Sequence, residues 1–153
     1  LKDPGKILLV EDSPTSRINT LLTLNKHGFF VYFSKNGIEA LKMAEEISPD
    51  LILLDVVMPD IDGFQVCTRL KASKKTEEIP VIFLTSQREI ANIVKGFQSG
   101  SVDYILKPWN TLELLARVRT HIELKRSKDQ LKKAYADLKE FTKMKENFLS
   151  VSP

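Results

Sequence analysis

The sequence predicts an α/β domain built on a doubly wound parallel sheet in a (βα)5 pattern, followed by one extended helix. Three observations predict it. Five short apolar runs recur between residues 6 and 106, nearly continuous rather than alternating, as strands covered on both faces by helices require. Segments of helical period separate them. Right-handed crossovers between parallel strands then bring the carboxyl ends of all five runs to one edge of the sheet.

The first run is KILLV at 6–10, and a helix follows over 14–27 with Ile18, Leu21 and Leu22 as its apolar positions. Ser13 reads as its N-cap with Pro14 at the first helical position, and Gly28 as its stop. The second run, FVYFS at 30–34, precedes a helix over 37–47 carrying Ile38, Leu41 and Ala44. The third, DLILL at 50–54, precedes a helix over 63–72. The fourth, PVIFL at 80–84, tolerates proline as a first strand residue and leads to a helix over 88–98 with Ile90, Ile93, Val94 and Phe97. The fifth is VDYIL at 102–106.

From Thr111 the helical pattern does not stop, because no Gly or Pro interrupts residues 109–152. Leu115, Val118 and Ile122 are expected to face the sheet. Beyond them Leu124, Leu131 and Leu138 fall at heptad position a, with Ser127, Ala134, Phe141 and Phe148 at d. A helix of about 50 Å or more, at 1.5 Å per residue, would project from the domain. Residues 1–122 are therefore expected to form the core domain and 123–153 a helical coiled-coil linker. The same stripe from a second chain is the natural cover for exposed Leu and Phe, so a parallel homodimer through residues 124–149 is expected.

The chain has 153 residues and is 42% hydrophobic, enough for one ordinary domain with a real core. Its net charge of +3 belongs to the tail: residues 1–120 hold 15 basic and 15 acidic side chains, residues 121–153 eight and five. Asp129, Asp137 and Glu140 interrupt that basic helix and no DNA-reading module accompanies it, so nucleic-acid binding is not expected. No run is long enough to span a bilayer and no signal peptide opens the chain, which places it in the cytoplasm without membrane insertion. The start at Leu1 without Met reads as a processed or engineered terminus. The single cysteine, Cys67, reads as a small core residue, and His27 and His121 as helix-end and solvent residues.

Five residue groups sit where the strands emerge: Glu11-Asp12, Asp55, Met58-Pro59, Thr85 and Lys107-Pro108. In a doubly wound sheet these ends meet at one crevice. Two carboxylates about 4 Å apart repel by roughly 1 to 4 kcal/mol, so Glu11, Asp12 and Asp55 call for a cation. Oxygen-only ligands in an open crevice suit Mg²⁺. Phosphoryl transfer needs a nucleophile, a metal and donors for the phosphoryl oxygens. Asp55 supplies the first, Asp12 a direct and Glu11 a water-mediated metal contact, and Thr85 and Lys107 a hydroxyl and a positive charge. Any one of these alone would read as a cap, a turn residue or a surface charge; five at consecutive junctions read as a site.

The segments LLVEDSP, LILLDVVMPDIDGF, PVIFLTS and DYILKPW resemble, in order, the response regulator receiver domain of two-component signalling. The resemblance covers residues 6 to about 122, with 30 residues from Asp55 to Thr85 and 22 from Thr85 to Lys107. It implies the flavodoxin-like version of the sheet. It also implies a phosphoacceptor regulatory domain rather than an enzyme, in which Asp55 is phosphorylated by a histidine kinase or histidine phosphotransfer protein with Mg²⁺. In that family Val57 gives the metal its backbone carbonyl, Met58-Pro59 and Gly63 form the turn after the acceptor strand, and Asp62 caps the next helix. The Lys107-Pro108 bond is usually cis at this position, and Tyr104 turns inward when Thr85 moves to the phosphate. Trp109 stands where Phe is common, while Val57 and Gln87 occupy positions that tune hydrolysis of the acyl phosphate.

Phe148-Leu149-Ser150-Val151-Ser152 resembles the opening of the dimerisation helix of sensor histidine kinases, although Pro153 departs from the serine usual there. The expected parent is a hybrid histidine kinase controlled through the linker. The alternatives are a receiver regulating a diguanylate cyclase or another output, and an inactive protein-interaction module.

Overall fold

The apolar runs become strands β1 (Lys6–Val10), β2 (Phe30–Ser34), β3 (Leu51–Leu54), β4 (Val81–Thr85) and β5 (Asp103–Leu106) in a computed structural model that describes residues 3–151. The segments between them become α1 (Pro14–Lys26), α2 (Gly37–Ile47), α3 (Gly63–Lys71), α4 (Ile90–Gln98) and α5 (Thr111–Val151). All strand pairs are parallel, in the order β2-β1-β3-β4-β5. The winding reverses between β1 and β3, so the crevice opens at their carboxyl ends.

Strand alternation divides the apolar runs between two cores. Leu8, Val10, Ile52, Leu54, Val81 and Phe83 pack toward α2, α3 and α4, with Cys67 buried among them. Ile7, Leu9, Leu51, Leu53, Ile82 and Leu84 pack on the opposite face with Leu24 of α1 and with Leu114, Leu115, Val118 and Ile122 of α5. Each fully buried side chain of this size contributes about 1.5–3 kcal/mol, which is why runs without a polar phase are needed. Burial also pushes the Cys67 thiol up in pKa, as befits an inert core residue.

Several expectations fail at the surface of this core. Ile18 and Leu22 of α1 are exposed while Thr20 and Leu24 are buried, because the helix turns its Thr20 hydroxyl inward to accept from Trp109 Nε1 at 3.3 Å. Ile90, Val94 and Phe97 of α4 are exposed as well, with Ile93 on the packed side. Strand β2 lies at the sheet edge, so Phe30, Tyr32 and Phe33 are covered on one side at most. Arg17 stacks over the Phe33 ring, 5.0 Å from its centroid. Ser13 precedes Pro14 in extended conformation as a cap should, yet its side chain makes no capping bond.

Helix α5 runs 41 residues, about 60 Å at 1.5 Å per residue. Past Ile122 its Leu124, Leu131, Leu138, Phe141 and Phe148 side chains are exposed. The reading of Phe148 to Ser152 as a kinase segment reaches Ser152 and Pro153, which lie outside the described residues, as does Leu1. Among the described residues no helix is long and apolar enough to cross a membrane.

Two contacts fasten the base of this extension. Glu78 accepts from Lys128 at 3.0 Å and Lys132 at 3.2 Å, and Arg126 donates to the Asp3 carbonyl at 2.9 Å. The hydrogen bond from Lys128, and then that from Lys132, pull the Glu78 carboxyl down to about 2 from the usual 4.5. A depressed carboxyl stabilises the fold above its unfolded value and loses that contribution as pH falls toward the folded one. The group is exposed, and screening by water and salt holds the clip to no more than about 1 kcal/mol. A carbon NMR titration should place Glu78 well below ordinary glutamates and return it to their range in a Lys128→Ala, Lys132→Ala variant. An ordinary value in the intact chain would show the clip does not form.

Candidate functional site

Glu11 and Asp12 follow β1, Asp55 follows β3, Thr85 ends β4, and Lys107 follows β5. Parallel register carries them to one edge, where the Asp55 N–H donates to the Val10 carbonyl at 3.1 Å and the Lys107 N–H to the Thr85 carbonyl at 2.9 Å. The centre of the site is the Lys107 ammonium. Nζ donates to Glu11 Oε1 and to Asp55 Oδ2, the latter at 3.0 Å. Both carboxylates are largely withdrawn from water, their side chains 5% and 12% exposed. The Lys107-Pro108 peptide is cis, as the resemblance implies.

By sequence these acids call for a cation, and Lys107 is expected to meet phosphoryl oxygens. In the structure Lys107 itself is the cation between Glu11 and Asp55. Burial alone would pull its ammonium down, but the hydrogen bond it donates to Glu11 and the charge of Asp55 outweigh burial and raise it. Asp12 stays exposed beside the pair. Among the described residues no three His, Cys, Asp or Glu side chains gather closely enough to hold a metal by themselves. The donor set nonetheless fits Mg²⁺, which takes hard oxygens, needs only one or two carboxylates and keeps several waters.

The remaining bonds hold the acids in place. Asp55 Oδ1 accepts from the Val56 N–H at 2.7 Å, and Glu11 Oε2 from the Ser13 N–H at 3.3 Å. Gly63 begins α3 against the acceptor backbone: a Cβ there would lie 2.2 Å from the Asp55 carbonyl oxygen and 2.9 Å from Val56 Cα. Asp62 caps α3 as expected, in a reciprocal capping box with Gln65. Val57 is exposed and Met58 packs against the core below the crevice.

Thr85 is fully buried and its Oγ accepts from the Gln87 N–H at 3.3 Å. The Tyr104 hydroxyl donates to the Gln87 carbonyl at 2.8 Å, with its ring beside Phe83. Burial, with the charges of Asp55 and Glu89 behind it, raises the Tyr104 phenol. Helix α4 reaches this tyrosine through Gly96, whose absent Cβ would lie 3.0 Å from the Tyr104 ring.

Three further residues support the site. Arg88 donates to the Lys107 carbonyl at 2.7 Å and joins the β4–α4 loop to the lysine; Arg17 donates to the Glu11 carbonyl at 3.1 Å. Asp60 bonds to the start of α2. Arg88 and Asp60 have partners about twenty residues away, which no local pattern marks, and Arg17 reaches back six residues from α1 to the loop before it. His121, read as a solvent residue, is half-buried and pairs through Nε2 with Asp103 at 3.1 Å, where Arg117 also binds at 2.7 Å. Burial raises the Asp103 carboxyl, but hydrogen bonds with Arg117, the Tyr104 N–H and His121 outweigh it and hold the group below its usual value.

A family model described as the response regulator receiver domain matches residues 7–119. The DNA-binding dual master transcriptional regulator RpaA of Synechocystis is 40% identical over 114 residues, 74% of this chain and 47% of that protein. Histidine kinase P4 of Formosa agariphila is 35% identical over 141 residues, 92% of this chain and 10% of that protein. The receiver domain of the sensor histidine kinase PA1611 from Pseudomonas aeruginosa, solved with a magnesium ion in its active-site cleft, is 30% identical with a TM-score of 0.74. That match covers 78% of this chain and 98% of the other. The chain thus spans about half the length, or much less, of these curated relatives.

Proposed function

This chain belongs to the response regulator receiver domain family, regulatory phosphoacceptors of two-component signalling, and from that premise we propose that Asp55 is its acceptor. The donor is a phosphohistidine on a histidine kinase or phosphotransfer protein. The observation that carries the reading is the Lys107 ammonium hydrogen-bonded to both Glu11 and Asp55 across three strand ends. Glu11, Asp12, Asp55 and the Val57 carbonyl are the groups to hold Mg²⁺. When bound, that ion would neutralise charge on the carboxylates and the phosphoryl oxygens.

The chain's own residues do the rest. An Asp55 carboxylate oxygen forms a bond to phosphorus as the phosphorus–nitrogen bond of the donor breaks, its electron pair leaving with the imidazole. The Val56 N–H and Lys107 orient that carboxylate. Lys107 is placed to follow the charge from carboxylate to phosphoryl oxygen, and the Thr85 hydroxyl to exchange its Gln87 bond for one to the phosphoryl group. Tyr104 is already inward while Thr85 still bonds Gln87, so its hydroxyl bond to the Gln87 carbonyl, and not an inward turn of the ring, would carry that exchange toward α4.

The test is intact-mass measurement after incubation with acetyl phosphate. One phosphoryl group should be gained with Mg²⁺ and lost from the product when a chelator is present throughout. No uptake under either condition would leave the alternative of an inactive interaction module.

For the output we propose that residues 1–122 act as the receiver and 123–153 as a linker working in the cytoplasm, with a histidine kinase beyond. Similarity to histidine kinase P4 spans 141 residues, more than the 122 of the proposed receiver, and supports this reading. The exposed stripe from Leu124 to Leu149 supports a parallel homodimer. Mass measurement in solution decides: the intact chain should be dimeric and a chain ending at residue 123 monomeric. A diguanylate cyclase or another output is the second reading.

A further inference from the structure

The junction between β2 and α2 touches both acid-bearing loops. On one side the Ser34 carbonyl accepts from the Glu11 N–H at 3.0 Å. On the other, Asp60 places Oδ1 on the Gly37 N–H at 2.9 Å and Oδ2 on the Ile38 N–H at 2.8 Å. Asp60 lies five residues beyond Asp55 in the loop that carries Val57.

These bonds are not needed simply to cap α2. Asn36 already does so, its Oδ1 accepting from the Glu39 N–H at 2.8 Å. Asp60 instead satisfies the two preceding donors, and its charge sits at the positive end of the helix. The junction is also stiff. Ser34 Oγ donates to the Asn36 carbonyl at 2.8 Å, and Gly37 lies so close to the next loop that a Cβ would be 2.6 Å from Ile61 and 2.7 Å from Val66 carbons. Among the described residues no other side-chain hydrogen bond ties residues 57–61 to the rest of the chain.

We propose that Asp60 is a positioning residue for the acceptor site. By gripping the first turn of α2, it locks the loop bearing Asp55 and Val57 to the same junction that holds Glu11, and so sets the separation of the oxygens from β1 and β3. The inference rests on the reading of those oxygens as the Mg²⁺ and phosphoryl site.

The experiment compares Asp60→Ala, Asp60→Asn and Asn36→Ala with the unaltered chain by calorimetric Mg²⁺ titration, initial rate of uptake from acetyl phosphate, and thermal unfolding. A group that positions metal ligands typically changes metal affinity by 10–100-fold, and a loop tie belongs at the lower end. Asp60→Ala should weaken Mg²⁺ binding and slow uptake by about tenfold. Asp60→Asn, which keeps one acceptor oxygen, should fall between, and supplies the comparison if the alanine variant does not fold. Asn36→Ala should lower the unfolding midpoint while leaving Mg²⁺ affinity unchanged.

Native Mg²⁺ affinity and uptake in both Asp60 variants would overturn the inference, as would equal Mg²⁺ loss in Asn36→Ala. An unaltered chain that neither binds Mg²⁺ nor takes up phosphoryl groups would instead overturn the functional reading, and this inference with it.

Discussion

Asp55→Asn should leave the chain folded and unable to gain a phosphoryl group from acetyl phosphate with Mg²⁺. The amide has the shape of the carboxylate and keeps an oxygen for the Val56 N–H, so the turn after β3 has no reason to move. What disappears is the nucleophile and one negative charge. Removing a nucleophile costs orders of magnitude, and uptake should fall at least about a thousandfold, below detection by intact mass. Stability should hold or rise slightly, because Lys107 keeps Glu11 while a second carboxylate in the same place is relieved. Undiminished uptake in this variant would put the acceptor elsewhere.

Lys107→Ala should produce the opposite pattern, a large loss of stability. It strands Glu11 and Asp55 without the cation that joins them, in a place where little water reaches either. Breaking a buried pair from one side costs about 3–5 kcal/mol, and the open rim of the crevice argues for about 3. Mg²⁺ should restore part of the loss, since it binds only the folded arrangement of these oxygens. Denaturant midpoints with and without Mg²⁺ measure both effects; a variant as stable as the native chain without Mg²⁺ would refute the account. The pH dependence has a definite sign. Burial lowers the Lys107 ammonium, the hydrogen bond donated to Glu11 and the charge of Asp55 more than reverse that, and the folded value lies above the usual 10.5. The contribution is complete below 10.5 and fades as pH rises through the folded value, so the deficit should narrow only in strong base.

The two variants report on the proposed phosphoryl acceptance and the proposed metal by different readouts. A chain that keeps Mg²⁺ rescue in Lys107→Ala yet loses uptake in Asp55→Asn would have both roles where the geometry supports them. The Glu78 clip adds a mechanical point. Lys128 and Lys132 fasten α5 just where its apolar stripe leaves the domain, so a change at the crevice that shifts α5 moves a supported helix and not a loose tail.

The sequence by itself determined the order and type of every element, because short, nearly continuous apolar runs alternating with segments of helical period fit strands covered by helices, and Pro, Gly and Asp at their ends are local signals. It also determined which residues meet at the carboxyl edge, since crossover handedness leaves little choice once strands and helices alternate. Tertiary structure decided what each of them touches there. Lys107 reaches Glu11, 96 residues away, before any phosphoryl oxygen, and Asp60 reaches α2 across 22 and 23 residues. It also decided which apolar side chains are covered. Ile18, Leu22, Ile90, Val94 and Phe97 follow helical period yet stay exposed, and His121 finds Asp103 on β5. Periodicity records what a segment is able to bury; only the neighbours that arrive from elsewhere in the chain determine what it does bury.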